Sequence, residues 1–218
     1  MDSQQKNPAP TRWIVDVQFA VTGGPVPTDH GYPLFAALCH EIDHLHDADW
    51  LAVHPLRGSF LGGRRLALGS GSCLTLRVDH EHLRDVMPLA GKSLDVAGAR
   101  IHTGVPQLRM LRAAPSLVAR TVIFRHHVTP DTFLPRVVDE LAHRDIRADV
   151  QLGRRRVVTI SGKKVSGFAL ALHGLSDDDA LRLQTEGLGG RRHFGCGVFV
   201  PGRADVPQGT HAPRTDHR

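Results

Sequence analysis

The succession of hydrophobic periods limits the fold of this chain more tightly than any single motif. In residues 12–21, Trp13, Val15, Val17 and Phe19 recur at every second position, the period of a half-buried strand. A Gly-Gly-Pro turn follows. From His30 to about Asp47, Leu34, Leu38, Ile42 and Leu45 recur at helical spacing, with Asp29 as the expected N-cap. Residues 64–78 read as two short strands broken by Gly69-Ser70-Gly71. A short helix opens at Asp79 and closes at Gly91, and residues 92–111 return to strand. After Ala113-Ala114-Pro115 the order repeats. Residues 117–126 read as strand and 129–145 as helix, with Pro130 in its first turn. Two strands follow at 150–160 and 164–175, then a helix at 176–190 with an acidic first turn, then a strand at 193–201.

That order is β-α-β-β-α-β, given twice. It predicts an α+β fold of two tandem ferredoxin-like (βαββαβ) units, each with two helices on one face of a four-stranded antiparallel sheet. A single mixed α+β domain with one elaborate sheet is the alternative. The expected units span 12–114 and 115–203, the second carrying a glycine-rich loop. Residues 1–11 and 204–218 are polar, proline-bearing and aperiodic, and are expected to be disordered tails.

Composition narrows the function. Aromatic residues make up 5% of the chain, so the core must rest on aliphatic side chains and any base-stacking platform must be small. The formal charge of +5 favours a polyanionic partner without requiring one. The three cysteines are far apart and form no C-x-x-C pair, which argues against a cysteine metal knot or a disulfide framework. No apolar run reaches membrane-spanning length and no signal peptide is visible, so a cytoplasmic protein is expected.

Three motifs carry chemistry. His40-Glu41-Ile42-Asp43-His44 spells H-E-x-x-H, which on a helix would place two imidazoles on one face for zinc. The extended form needs a glycine at 47 and a histidine at 50, where this chain has Asp47 and Trp50. Without a third ligand the expectation is no metal and no cofactor. The second motif is the run 187–201, where Gly187, Gly189, Gly190, Gly195 and Gly197 surround Arg191 and Arg192. It reads equally as a phosphate cradle or as a tight helix-to-strand turn. The third is a basic hairpin with Arg154, Arg155, Arg156, Lys163 and Lys164, suited to an RNA backbone or to a solvated hairpin tip. Gly62-Gly63-Arg64-Arg65 is a weaker instance of the same pattern.

The stretch from Gly174 to Pro201 resembles the C-terminal glycine-rich signature of the CRISPR-associated repeat-processing endoribonucleases of the RAMP superfamily. Residues 29–38, 89–106 and 116–124 resemble the branch of that family found in myxobacterial-type class I loci. The resemblance covers about residues 12–203. It implies the tandem ferredoxin-like fold and metal-independent cleavage of precursor CRISPR RNA within each repeat. In that reaction the 2′-hydroxyl attacks the scissile phosphate, leaving a 2′,3′-cyclic phosphate and a 5′-hydroxyl. CRISPR repeat RNA is the implied partner, with the protein in some cases remaining on its product among other subunits of a class I effector complex. The alternative is a catalytically silent subunit that only binds the processed RNA.

Such chemistry requires a base and an acid, and histidine suits both. The resemblance places the catalytic histidine at or near the first helix. Relatives carry it in a pattern like L-H-x-x-L, but the matching position here is Phe35. His30, just before the helix, is therefore the first expectation. His46 with Tyr32 forms the second, resembling relatives that use a tyrosine–histidine pair. The loop glycines Gly187, Gly189 and Gly190, with Arg191, Arg192 and the hairpin cations, are the expected RNA-binding residues. His54 and His193 lie outside the pattern.

Overall fold

The structure is a computed structural model that describes residues 13–202. The tails expected at 1–11 and 204–218 lie outside the described residues. In chain order the elements are β1 (Ile14–Gly23), β2 (Val26–Pro27), α1 (Gly31–Glu41), β3 (Ala52–Val53), β4 (Ser59–Gly62), β5 (Arg65–Ala67) and β6 (Cys73–Asp79). They continue as α2 (Leu83–Val86), β7 (Ser93–Val96), β8 (Ala99–Met110), β9 (Ser116–Val122), α3 (Pro130–His143), β10 (Asp149–Ile160), β11 (Lys163–His173), α4 (Asp177–Glu186) and β12 (Phe199–Pro201).

The fold is two tandem ferredoxin-like units. In the second, the four-stranded sheet runs β10-β11-β9-β12, all antiparallel, with α3 and α4 as its crossovers. In the first, the sheet runs β3-β6-β1-β8-β7, so the same order is extended by the β7–β8 hairpin. Each unit has its own hydrophobic core. One gathers Val17, Phe19, Leu34, Leu38 and Leu76. The other gathers Leu117, Phe133, Val137, Leu172 and Phe199. Among the described residues no helix is long and apolar enough to cross a membrane.

Three local expectations are corrected. The first helix stops at Glu41, because Ile42 is extended and residues 43–47 wind as a 3₁₀ turn. Leu45, Ala48 and Leu51 are all buried, and their spacing of three suits the tighter winding better than an α-helix. His40 and His44 therefore do not share one α-helical face. Asp29 does not cap α1. Its carboxylate instead accepts the Thr159 N–H at 2.9 Å, tying the first unit to β10 of the second. Finally, Arg65–Ala67 does not join the main sheet but forms a separate three-stranded sheet, β2-β5-β4. The second strand of the main sheet is the two-residue β3, a stretch too short for any sequence period.

The units are joined through polar contacts. Arg77 on β6 is 1% exposed. Its guanidinium grips both carboxylate oxygens of Asp16 at 2.7 and 2.9 Å. It also donates to the carbonyls of Gln184 in α4 and Phe199 in β12, each at 2.8 Å. The glycine-rich run lies between those two carbonyls, so one buried side chain of the first unit holds both ends of the loop segment.

Candidate active site and nucleic-acid interface

His30 sits at the N-terminus of α1 with 2% exposure. Its Nδ1 lies 2.8 Å from the Pro27 carbonyl and its Nε2 accepts the Leu56 N–H at 2.9 Å. Burial holds its pKa below the ordinary histidine value. Both ring nitrogens are thus engaged by backbone, with the proton on Nδ1. In this arrangement neither ring nitrogen is turned to solvent. His30 thereby links the strand before α1 to the segment after β3.

A different group of side chains gathers where α1 meets the glycine-rich loop. Tyr32 packs against Phe194 with ring centroids 5.5 Å apart, and Phe194 meets Phe35 edge-on at 5.5 Å. His46, exposed on the 3₁₀ turn, lies 6.2 Å from the Phe35 ring in a T-shaped contact. His193 of the glycine-rich loop stacks parallel on Phe35 at 4.8 Å. Its Nε2 donates to the Ala48 carbonyl at 2.6 Å, which leaves Nδ1 as the acceptor nitrogen. Tyr32 and His46 therefore meet in one cluster, and His193 enters it from the other unit. The approach is close. A Cβ on Gly31 would lie 2.3 Å from the Phe194 carbonyl oxygen, so only glycine lets α1 reach the loop.

The loop itself departs from a phosphate cradle. The amides of Gly187, Leu188, Gly190, Phe194, Gly195, Cys196 and Gly197 donate to protein carbonyls. Gly187 and Gly189 have positive φ, and a Cβ on either would meet a backbone oxygen at 2.5 Å. These glycines serve tight packing, the second of the two readings of this run. Arg192 is also redirected, because its guanidinium turns inward to the Thr185 carbonyl at the end of α4 at 2.7 Å. Arg191, at φ +72, stays exposed.

Outside the loop lies a cationic groove. Arg191, Gly189 and Gly190 line it together with Arg155 and Lys164 of the hairpin and with Arg125 and His126 after β9. Arg156 faces a second cleft, between the units, shared with Arg64, Arg120 and His30. Arg154 and Lys163 are exposed on the same hairpin but line neither depression.

A family model described as Cas6 Crispr matches residues 15–204. The chain belongs to the Cas6 family. The CRISPR-associated endonuclease Cas6 of Myxococcus xanthus (strain DK1622) is 45% identical over 192 residues, covering 88% of this chain and 83% of that one. Among solved structures, a Cas6-related protein of Pyrococcus furiosus aligns with a TM-score of 0.65 over 86% of this chain and 98% of that one, at 9% identity. A RAMP protein binding different RNA substrates aligns at 0.60 over 85% and 98%, at 10% identity. At such identities these two likenesses speak to the fold alone.

For this Cas6 chain the two loop arginines are expected to separate in experiment. Arg191→Ala should flatten the dependence of log K on log salt for repeat RNA by about one counterion, since each phosphate contact releases roughly that number. Arg192→Ala should leave the slope unchanged and lower the melting temperature, because it strips a carbonyl of α4 of its donor. Equal salt slopes for Arg191→Ala and the wild type would remove Arg191 from the interface. Sequence reasoning left His193 outside the candidate site, whereas the structure packs it on Phe35 beside Tyr32 and His46. Its only signal was a position two residues beyond Arg191 in the one segment that both resembled a nuclease signature and had to cross between units.

Proposed function

We propose that this Cas6 chain cleaves precursor CRISPR RNA within each repeat, by attack of the 2′-hydroxyl on the adjacent phosphate and without a metal. The observation that carries the reading is that His46 and His193, one from each unit, both pack against the Phe35 ring. The named activity of the Myxococcus relative supports it.

In-line transesterification needs one group to take the 2′-proton and another to protonate the departing 5′-oxygen. His193 has its Nε2–H committed to a carbonyl, so Nδ1 offers the lone pair of a base. His46 is exposed and supplies the acid. The Tyr32 hydroxyl is a positioning group for the phosphate or the ribose. Arg191, Arg155 and Lys164 lead the backbone along the groove and neutralise phosphate charge. Cys196 is no competing nucleophile, since burial pushes its thiol up to about 12. The cytoplasm is the proposed location, with the cleaved RNA as the lasting partner and other effector subunits as further ones.

The test is single-turnover cleavage of repeat RNA in EDTA, with end-group analysis of the fragments. Cleavage should persist, leaving a 2′,3′-cyclic phosphate and a 5′-hydroxyl. Binding without cleavage would instead identify a silent crRNA-binding subunit. Cleavage restored only by added metal would overturn the mechanism.

A further inference from the structure

The Gly62-Gly63-Arg64-Arg65 run is not used by the reading above, and the structure gives it a conspicuous setting. It forms the turn of the β4–β5 hairpin, in the small sheet added to the first ferredoxin-like unit. Gly62, Gly63 and Arg64 all have positive φ, so the turn has a defined left-handed course. The hairpin is anchored rather than loose. Thr28 N–H donates to the Arg64 carbonyl at 2.8 Å, and the Arg65 guanidinium donates to the Pro25 carbonyl. A Cβ on Gly58 would strike the Ala67 carbonyl, so the base of the hairpin is tightly closed.

On this hairpin Phe60 is 68% exposed and Leu61 59%. Of the chain's eight phenylalanines, Phe60 alone is largely exposed. Exposing such a pair forfeits burial of roughly 25 cal/mol per Å² of apolar surface. The surroundings name a ligand chemistry. Arg64, at the turn, lines the cleft between the units together with Arg120, Arg156 and the exposed Val157. Two large apolar side chains on an anchored hairpin whose turn residue Arg64 lines a three-arginine cleft match a polyanion that carries flat apolar faces.

We infer that the β4–β5 hairpin is a nucleobase platform, on which Phe60 stacks against an unpaired base of the repeat RNA while Leu61 packs beside it and Arg64 holds the neighbouring phosphate. The inference rests on the RNA-cleavage reading. Base–aromatic stacking is tolerant of sequence, because every base has a π-face. The platform therefore favours an unstacked base at this point of the repeat over a continued helix, which makes the hairpin a determinant of RNA shape rather than of sequence.

The experiment uses the full chain and repeat RNAs with 2-aminopurine at single positions. Wild type should quench the fluorescence strongly at one position. Phe60→Ala/Leu61→Ala should abolish that quench and weaken binding by about 10- to 100-fold. Its salt slope should be unchanged, because no phosphate contact is lost. Phe60→Trp should restore the quench. Both changes lie on exposed side chains, so melting temperatures should match the wild type. Wild-type affinity and quench in the double variant would overturn the platform while leaving the nuclease reading intact. A variant that alters only self-association would assign the hairpin to a protein interface and also overturn it. Wild-type protein that binds no repeat RNA at all would remove both readings together.

Discussion

Arg77→Met is expected to lower folding stability by about 3–5 kcal/mol, the usual cost of removing one partner from a buried ion pair. The loss has several sources. Asp16 is left largely buried with only His54 beside its charge, and the carbonyls of Gln184 and Phe199 lose their donor. Chemical denaturation should show the effect, and the double variant Arg77→Met/Asp16→Leu should recover much of it, because the orphaned charge goes too. Cleavage should fall along with stability in the single variant, since Arg77 fixes the segment that carries His193. A loss under 1 kcal/mol would mean that the pair sees more water than its burial implies.

The same network gives a pH dependence. Burial alone would raise the Asp16 pKa, but the contacts with His54 and Arg77 and the charge of Arg77 outweigh it and hold the carboxyl at about 2, against 3.8 in a free chain. Its contribution, on the order of 2 kcal/mol, is complete above about pH 4 and is lost as pH falls towards 2. His54 lies 3.5 Å from Asp16, and burial is the main force holding its pKa below 6.5. The unfolded chain therefore takes up a proton there that the folded chain refuses, and stability should already begin to decline below about pH 6.5. Both groups act in one direction. In Arg77→Met the step between pH 4 and 2 should shrink, and the step near pH 6 should persist through burial but diminish, because the charge of Arg77 also helps lower the His54 pKa.

His46→Ala and His193→Ala are each expected to slow single-turnover cleavage by about 10²–10⁴-fold with little change in RNA affinity, the range for loss of a positioned acid or base. The two losses should not add, because the groups serve one transition state. His30→Ala should differ in kind. It removes partners from the Pro27 carbonyl and the Leu56 amide, so its melting temperature should fall. Full activity in His193→Ala would return the base role to another group of the cluster.

Much of the fold was legible because it rests on period. The alternation around Val15, Val17 and Phe19 and the recurrence of Leu34 and Leu38 report which faces are buried, and that report is local. The exceptions were also local in cause. The helix continued past Glu41 on paper because Ile42 and Leu45 fit 3.6 residues per turn about as well as the observed 3₁₀ winding. The two residues of β3 were too few to show a period. The family signature at 174–201 was legible as well, and it marked the segment of the second unit that packs on the first.

What the sequence could not give was the partner of each polar group. His30 and His193 look alike in the chain, each a histidine beside a glycine or an aromatic. The fold buries the first between two backbone groups and stacks the second on Phe35, 158 positions away in the chain. Arg191 and Arg192 are neighbours in sequence, yet a positive φ at Arg191 sends them to opposite sides, one to the groove and one under α4. The sequence by itself determined the element order, the two cores and the family, because hydrophobic burial is additive and patterned along the chain. Only the tertiary structure decided which histidine is enclosed by backbone groups and which stacks on Phe35, because the state of a polar side chain depends on the few groups that folding brings within about 3 Å of it.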